Sequence, residues 1–86
     1  MKIERHRLFR KGYKKLPRQV QLAFQERVAL FVQNKYDPIL HNHALSGEYL
    51  GKRSFNVTGD YRVIFVEQED LVVLYLIGTH SELYGK

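Results

Sequence analysis

Six residues in the second half of the chain have side chains suited to proton transfer and anion binding: His43, Arg53, Asp60, Arg62, His80 and Tyr84, with Lys52 and His41 at the margin. Histidine exchanges protons near neutrality and serves as general base or general acid. Arginine offers fixed, bidentate charge to a phosphate oxyanion. One carboxylate can orient a histidine or act as the base itself. Together these groups suit cleavage of an RNA phosphodiester without a metal. That reaction removes the 2′-hydroxyl proton, stabilises a crowded phosphorane and protonates the 5′-oxygen as it leaves.

Each residue also has an ordinary structural explanation. A histidine that follows a strand is usually a surface residue, and so is one in a polar loop. Asp60 beside Gly59 reads as a turn residue, and Tyr84 as an anchor packing on a sheet. Arg62 is harder to dismiss, because it lies between Tyr61 and Val63 in a hydrophobic run and needs an exposed face or a partner. The pair His41-x-His43 raises zinc, but it lacks a helical i, i+4 spacing or a third ligand at a fixed offset.

Elements that could hold these groups follow from the apolar pattern. Met1–Arg7 alternates in part, as an edge strand does. Leu8–Lys15 fits a short helix. PRQVQLAFQERVALFVQNKY is the clearest helix, with Pro17 at its start and Val20, Ala23, Phe24, Leu30 and Phe31 on one side. Arg27 falls inside that apolar sector and is expected to snorkel along it. Asp37 precedes Pro38, so the helix ends before it. ILHNHALSGEYLGKR is an irregular middle segment, and such segments are often functional. Strands follow at Arg53–Val57, Tyr61–Val66 and Leu71–Ile77, the last apolar throughout and expected to be covered on both faces. A hairpin closed by EQED sets Val66 opposite Leu71, Arg62 opposite Tyr75 and Asp60 near Ile77, gathering Asp60, Arg62 and His80 at one sheet end. A slip of one residue would undo this register. Helices first and strands after give an α+β fold: two N-terminal helices on a small antiparallel sheet.

Composition sets the outer bounds. The 86 residues predict one domain, 1–86, with a small core. Without cysteine there is no disulfide, thiolate nucleophile or cysteine zinc site. The N-terminus lacks the apolar segment of a signal peptide, and no run reaches membrane-spanning length, so a cytoplasmic protein is expected. The formal net charge is +5, with Lys2, Arg5, Arg7, Arg10, Lys11, Lys14, Lys15 and Arg18 clustered early. That favours a polyanionic partner, nucleic acid or an acidic protein.

The stretch HALSGEYLGKRSFNVTGDYRVIF followed by GTHSELYGK resembles the RelE/ParE superfamily of bacterial type II toxins, most closely its YafQ-like (RelE/StbE) branch. The shared pattern is a His-x-Leu-x-Gly loop, a Gly-x-Arg strand start, an Asp-Tyr-Arg strand start and a terminal Gly-Thr-His with an aromatic after it. The resemblance implies a ribosome-dependent mRNA endoribonuclease that needs no cofactor. It also implies a cognate antitoxin, contact with mRNA and ribosomal RNA, and contact with operator DNA only through the antitoxin. By the same matching His43, Asp60, Arg62 and His80 would be catalytic and Tyr84 would contact the substrate; Lys52 and Arg53 are further candidates for RNA contact. Three positions depart from the pattern: Ala44 for the loop proline, Asn56 for a further histidine and Leu76 for a late arginine. Two other readings share the fold: a ParE-like inhibitor of DNA gyrase, and an antitoxin-binding module without activity.

Overall fold

The run YRVIFVEQ, rich in β-branched and aromatic residues, forms the central strand of a five-stranded sheet. The computed structural model describes residues 1–85. In chain order the elements are β1 (Lys2–Arg5), α1 (Arg7–Lys14), α2 (Arg18–Gln33), a 3-10 turn at Pro38–Leu40, β2 (His43–Ala44), a 3-10 turn at Gly47–Tyr49, β3 (Arg53–Asn56), β4 (Tyr61–Gln68), β5 (Leu71–Thr79) and α3 (His80–Tyr84). The sheet order is β1-β5-β4-β3-β2. The α+β architecture is as expected from the sequence, with one correction: the sheet is mixed, because β1 runs parallel to β5. Two helices intervene between β1 and the other strands, and that long connection lets β1 return along the far edge of β5.

Alternation along the strands divides the sheet into two faces. Phe55, Val57, Val63, Phe65, Val72, Leu74 and Ile77 are buried against Phe9 of α1 and Val20, Phe24 and Phe31 of α2. Phe31 anchors this layer, its ring centroid 5.1 Å from that of Phe55 and 5.2 Å from that of Phe65. The helix α2 stops at Gln33, ahead of Pro38 as expected. Arg27 is half-buried, and its Nε donates to the Val57 carbonyl at 3.2 Å rather than lying free along the helix.

The other face carries the chemistry. The uniform apolarity of β5 predicted cover on both sides, yet Val73, Tyr75 and Leu76 are only half-buried. The 45–52 segment reaches Tyr75 through Lys52, and Tyr49 donates its hydroxyl to the Leu83 carbonyl at 2.7 Å, tying that segment to α3.

The hairpin register differs from the expected one. Glu67 and Gln68 extend β4 despite their polarity, so the turn is Glu69–Asp70 and Gln68 faces Leu71. A bulge follows: Ile64 pairs with Leu76 but Phe65 with Leu74, leaving Tyr75 as the extra residue. The result sets Arg62 opposite Gly78, not Tyr75, and Asp60 beside His80, not Ile77.

Candidate active site

Four elements converge on one cavity of about 500 Å³, lined by His41, His43, Leu45, Arg62, His80 and Tyr84. Each side chain has a local reason for its position. β2 pairs His43 with Ser54, which puts the imidazole on the same face as Asn56 and Arg62. Its Nδ1 lies 2.8 Å from the His41 carbonyl oxygen. A carbonyl oxygen can only accept, so Nδ1 carries the hydrogen; in the neutral ring Nε2 then keeps a lone pair. His41 itself sits in the left-handed region at φ 50°, which no other non-glycine residue shares among the described residues. Its ring lies 4.8 Å from that of His43. Backbone strain of this kind collects at functional loops.

Arg62 emerges from β4 between two cross-strand neighbours, Asn56 and Gly78. Asn56 accepts a hydrogen bond from Arg62 Nη1 at 2.9 Å. Gly78 presents no side chain, and α3 takes the space that one would fill. A Cβ at Gly78 would lie 3.1 Å from Glu82 Oε1 and 3.5 Å from Leu83 Cδ2, so the glycine is what lets α3 fold back over the strand end.

The sequence Thr-His-Ser-Glu then fixes His80. Thr79 is the N-cap of α3: its hydroxyl accepts from the Glu82 N–H at 3.1 Å, and Glu82 Oε1 accepts from the Thr79 N–H at 2.8 Å. His80 is therefore the first residue of a capped helix, and its N–H donates to the Asp60 carbonyl at 3.1 Å. One turn later Tyr84 brings its ring to 4.7 Å from that of His80 and 5.7 Å from that of Tyr49. Burial pushes the Tyr49 phenol above its ordinary pKa, with Glu48, Tyr84 and Tyr75 adding to the effect.

Of the residues expected at the site, His43, Arg62, His80 and Tyr84 share the cavity, and His41 joins them from the margin. Three do not line it. Asp60 is exposed at its rim and holds His80 through its backbone oxygen. The Lys52 ammonium lies 5.2 Å from the Tyr75 ring centroid. Arg53 belongs to the helix-facing side of β3, and its Nε donates to Asn42 Oδ1 at 2.9 Å; strand alternation sends it away from Arg62. The sequence reading missed Asn56 as the partner of Arg62 and Leu45 as an apolar wall. The i, i+6 spacing of Asn56 and Arg62 across the short VTGD turn was the available signal for the first.

No group of three or more potential metal ligands occurs among the described residues, so the His41-x-His43 pair gains no third ligand there. Among the described residues no helix is long and apolar enough to cross a membrane.

With this geometry in view, comparison with known proteins is informative. Among curated proteins no relative matches the sequence. The fold is shared with YafQ from E. coli strain BL21(DE3), at a TM-score of 0.83 and 22% identity over 96% of this chain and 97% of that one. It is shared with the toxin–antitoxin complex DinJ–YafQ from E. coli, at 0.80 and 23% over 96% of both chains. A YoeB/ParE toxin from Agrobacterium tumefaciens follows at 0.76 and 12%, over 93% and 99%. Such identities speak for the fold alone. The family is given by sequence: the model of the bacterial toxin of type II toxin–antitoxin systems, YafQ, matches residues 1–85, and the chain therefore belongs to that family.

Proposed function

We propose that this toxin is an mRNA endoribonuclease working by acid–base catalysis. The observation that carries the reading is the shared cavity, in which His43, Arg62 and His80 all take part and the His43 tautomer is held by a backbone carbonyl. Nε2 of His43 accepts the 2′-hydroxyl proton as the 2′-oxygen attacks phosphorus. Arg62, aligned by Asn56, neutralises the charge that develops on the phosphorane oxygens. His80 gives its proton to the departing 5′-oxygen. The products are a 2′,3′-cyclic phosphate and a free 5′-hydroxyl. Tyr84 offers its ring for stacking on a base beside the scissile bond, and Leu45 supplies an apolar wall. Asp60 keeps a supporting role, as the anchor of His80.

The exposed basic residues Arg7, Arg10, Lys11, Lys14, Lys15 and Arg18 form a face suited to ribosomal RNA phosphates. Lys52 and Arg53 would add contacts outside the cavity. A ribosomal substrate implies action in the cytoplasm. The DinJ–YafQ complexes support a cognate antitoxin as the neutralising partner, and operator contact would run through that antitoxin.

Primer extension on a defined mRNA in a purified translation system tests the reading, with and without ribosomes. Wild type should cleave only when ribosomes are present. His80→Ala and His43→Ala should each lower cleavage by at least about a hundredfold, whereas Asp60→Asn, which keeps the backbone anchor, should cost less than about tenfold. Full cleavage by His80→Ala would remove the proposed acid. Absence of cleavage by wild type, with inhibition of gyrase supercoiling in a parallel assay, would replace the ribonuclease reading with gyrase inhibition.

A further inference from the structure

Arg27 is a cation in the apolar sector of α2 that the proposed chemistry does not use. One of its five N–H donors serves the Val57 carbonyl. The ion pairs among the described residues are Met1–Asp70, Lys2–Glu4 and Lys35–Glu67, so no carboxylate neutralises it. A half-buried guanidinium with most of its donors uncommitted favours an anion, and a planar fork favours a phosphate or carboxylate.

Arg27 opens into a cavity of about 230 Å³, lined also by Ile39, Asn56, Val57, Thr58 and Gly59. The lining holds no acidic side chain. The Thr58 hydroxyl oxygen accepts from the Asp60 and Tyr61 N–H groups at 3.2 and 3.0 Å, which leaves its own O–H able to donate inward or to solvent. A Cβ at Gly59 would meet nothing within 4 Å, so the turn leaves open space there. Ile39 is 53% exposed and gives the cavity an apolar wall.

Two residues of this cavity connect it with the catalytic one. Asn56 lines it and also accepts from Arg62. Ile39 lines it and stands two residues before His41, which lines the catalytic cavity. Asn56 thus belongs both to the lining around Arg27 and to the hydrogen bond of Arg62.

We propose that the Arg27 cavity is a second phosphate subsite, which takes the phosphate next to the scissile one in a bound RNA strand. The inference rests on the ribonuclease reading and extends its substrate from one phosphodiester to a short single strand. Arg62 holds the reacting phosphate and Arg27 the neighbouring one, with Ile39 against the intervening sugar or base. This fixes the register of the strand across the catalytic groups.

Binding of oligoribonucleotides that carry a 2′-deoxy sugar at the scissile position tests it. A dinucleotide offers only the scissile phosphate, and trinucleotides extended at either end add the next one. Wild type should bind one trinucleotide about tenfold tighter than the dinucleotide. Arg27→Ala should lose that gain and keep the dinucleotide affinity. Ile39→Glu, which places a carboxylate in the cavity without touching the Arg27–Val57 bond, should do the same. The subsite is overturned if the gain persists in both variants, if wild type shows no gain, or if Arg27→Ala weakens the dinucleotide equally, since Arg27 then only braces the turn. It is also overturned if inorganic phosphate binds in an Arg27-dependent way while chain extension adds nothing. Cleavage that persists without a gain on extension defeats the subsite alone. Failure of wild type to cleave mRNA on the ribosome defeats the ribonuclease reading and the subsite with it, whereas cleavage without binding of any oligonucleotide defeats the subsite alone.

Discussion

Asn56 accepts a hydrogen bond from Arg62, the arginine that faces the cavity. A side-chain amide has no proton to exchange near neutrality, and its oxygen can align the guanidinium. Asn56→Ala frees the Arg62 guanidinium to swing among rotamers, and a misplaced charge-stabilising group costs about ten- to a hundredfold in rate. The loss should fall on kcat rather than KM, because the phosphorane needs the aligned fork more than the ground-state phosphate does. Single-turnover cleavage measures this, and an unchanged kcat would deny Asn56 the role. Arg62→Lys should not restore what Asn56 supports, since a lysine ammonium has no fork for an amide oxygen to hold. At this scale His43, Arg62, His80 and Tyr84 were legible as types in the sequence. The roles of His41 and Asn56 were not, because they depend on a left-handed backbone and on a cross-strand pair.

The element that positions His80 is the five-residue helix α3, too short to persist by itself in water. Its capping box, the return over Gly78 and the Tyr49–Leu83 bond hold it in place. Thr79→Val removes the cap acceptor and should lower stability by about 1 kcal/mol. The loss of cleavage should exceed what the folded fraction explains; a loss in strict proportion to unfolding would show that the cap does not position His80.

Tyr49 adds a pH dependence. Its phenol lies above its ordinary 10.0 because burial disfavours the phenolate. The Lys35 ammonium lies above its ordinary 10.5, chiefly through its hydrogen bond to Glu67. In both cases the folded chain binds the proton more tightly than the unfolded one, so stability is complete below those values and falls as pH rises past them. Stability should therefore be flat through neutrality on this account and decline above about pH 10. Tyr49→Phe should cost about 1 kcal/mol at neutral pH through the lost bond to Leu83, and should make the alkaline decline shallower. Urea unfolding across pH, followed by circular dichroism, checks both signs.

At the scale of the molecule, 86 residues leave little reserve. A domain this size is stable by about 4–13 kcal/mol. Phe31 is fully buried and joins α2 to β3 and β4 through two aromatic contacts. Phe31→Ala should cost about 3–5 kcal/mol, which lowers the urea midpoint steeply and leaves part of the population unfolded in buffer. A loss below about 1 kcal/mol would mean that the core relaxes around the gap.

The sequence by itself determined the two main helices and four of the five strands, in order; β2 lay in a segment it read as irregular, and α3 in one to which it assigned no element. Periodicity placed α2 and the strands, the Pro38 signal ended the helix in time, and residue chemistry picked four members of the cavity. Those features are local: each depends on spacing or side-chain type within one segment. Tertiary structure decided which face and which neighbour each residue received. The error at Arg62 was three residues, two from the extension of β4 through Glu67 and Gln68 and one from the bulge at Tyr75. Neither is written in hydrophobicity, because pairing with β5 holds polar residues in a strand and a bulge changes register without changing pattern. Arg53 went to the helix side by strand alternation, and Asp60 was left at the rim by the turn. β1 took its place along β5 through a contact between segments about 70 residues apart, which no local pattern encodes.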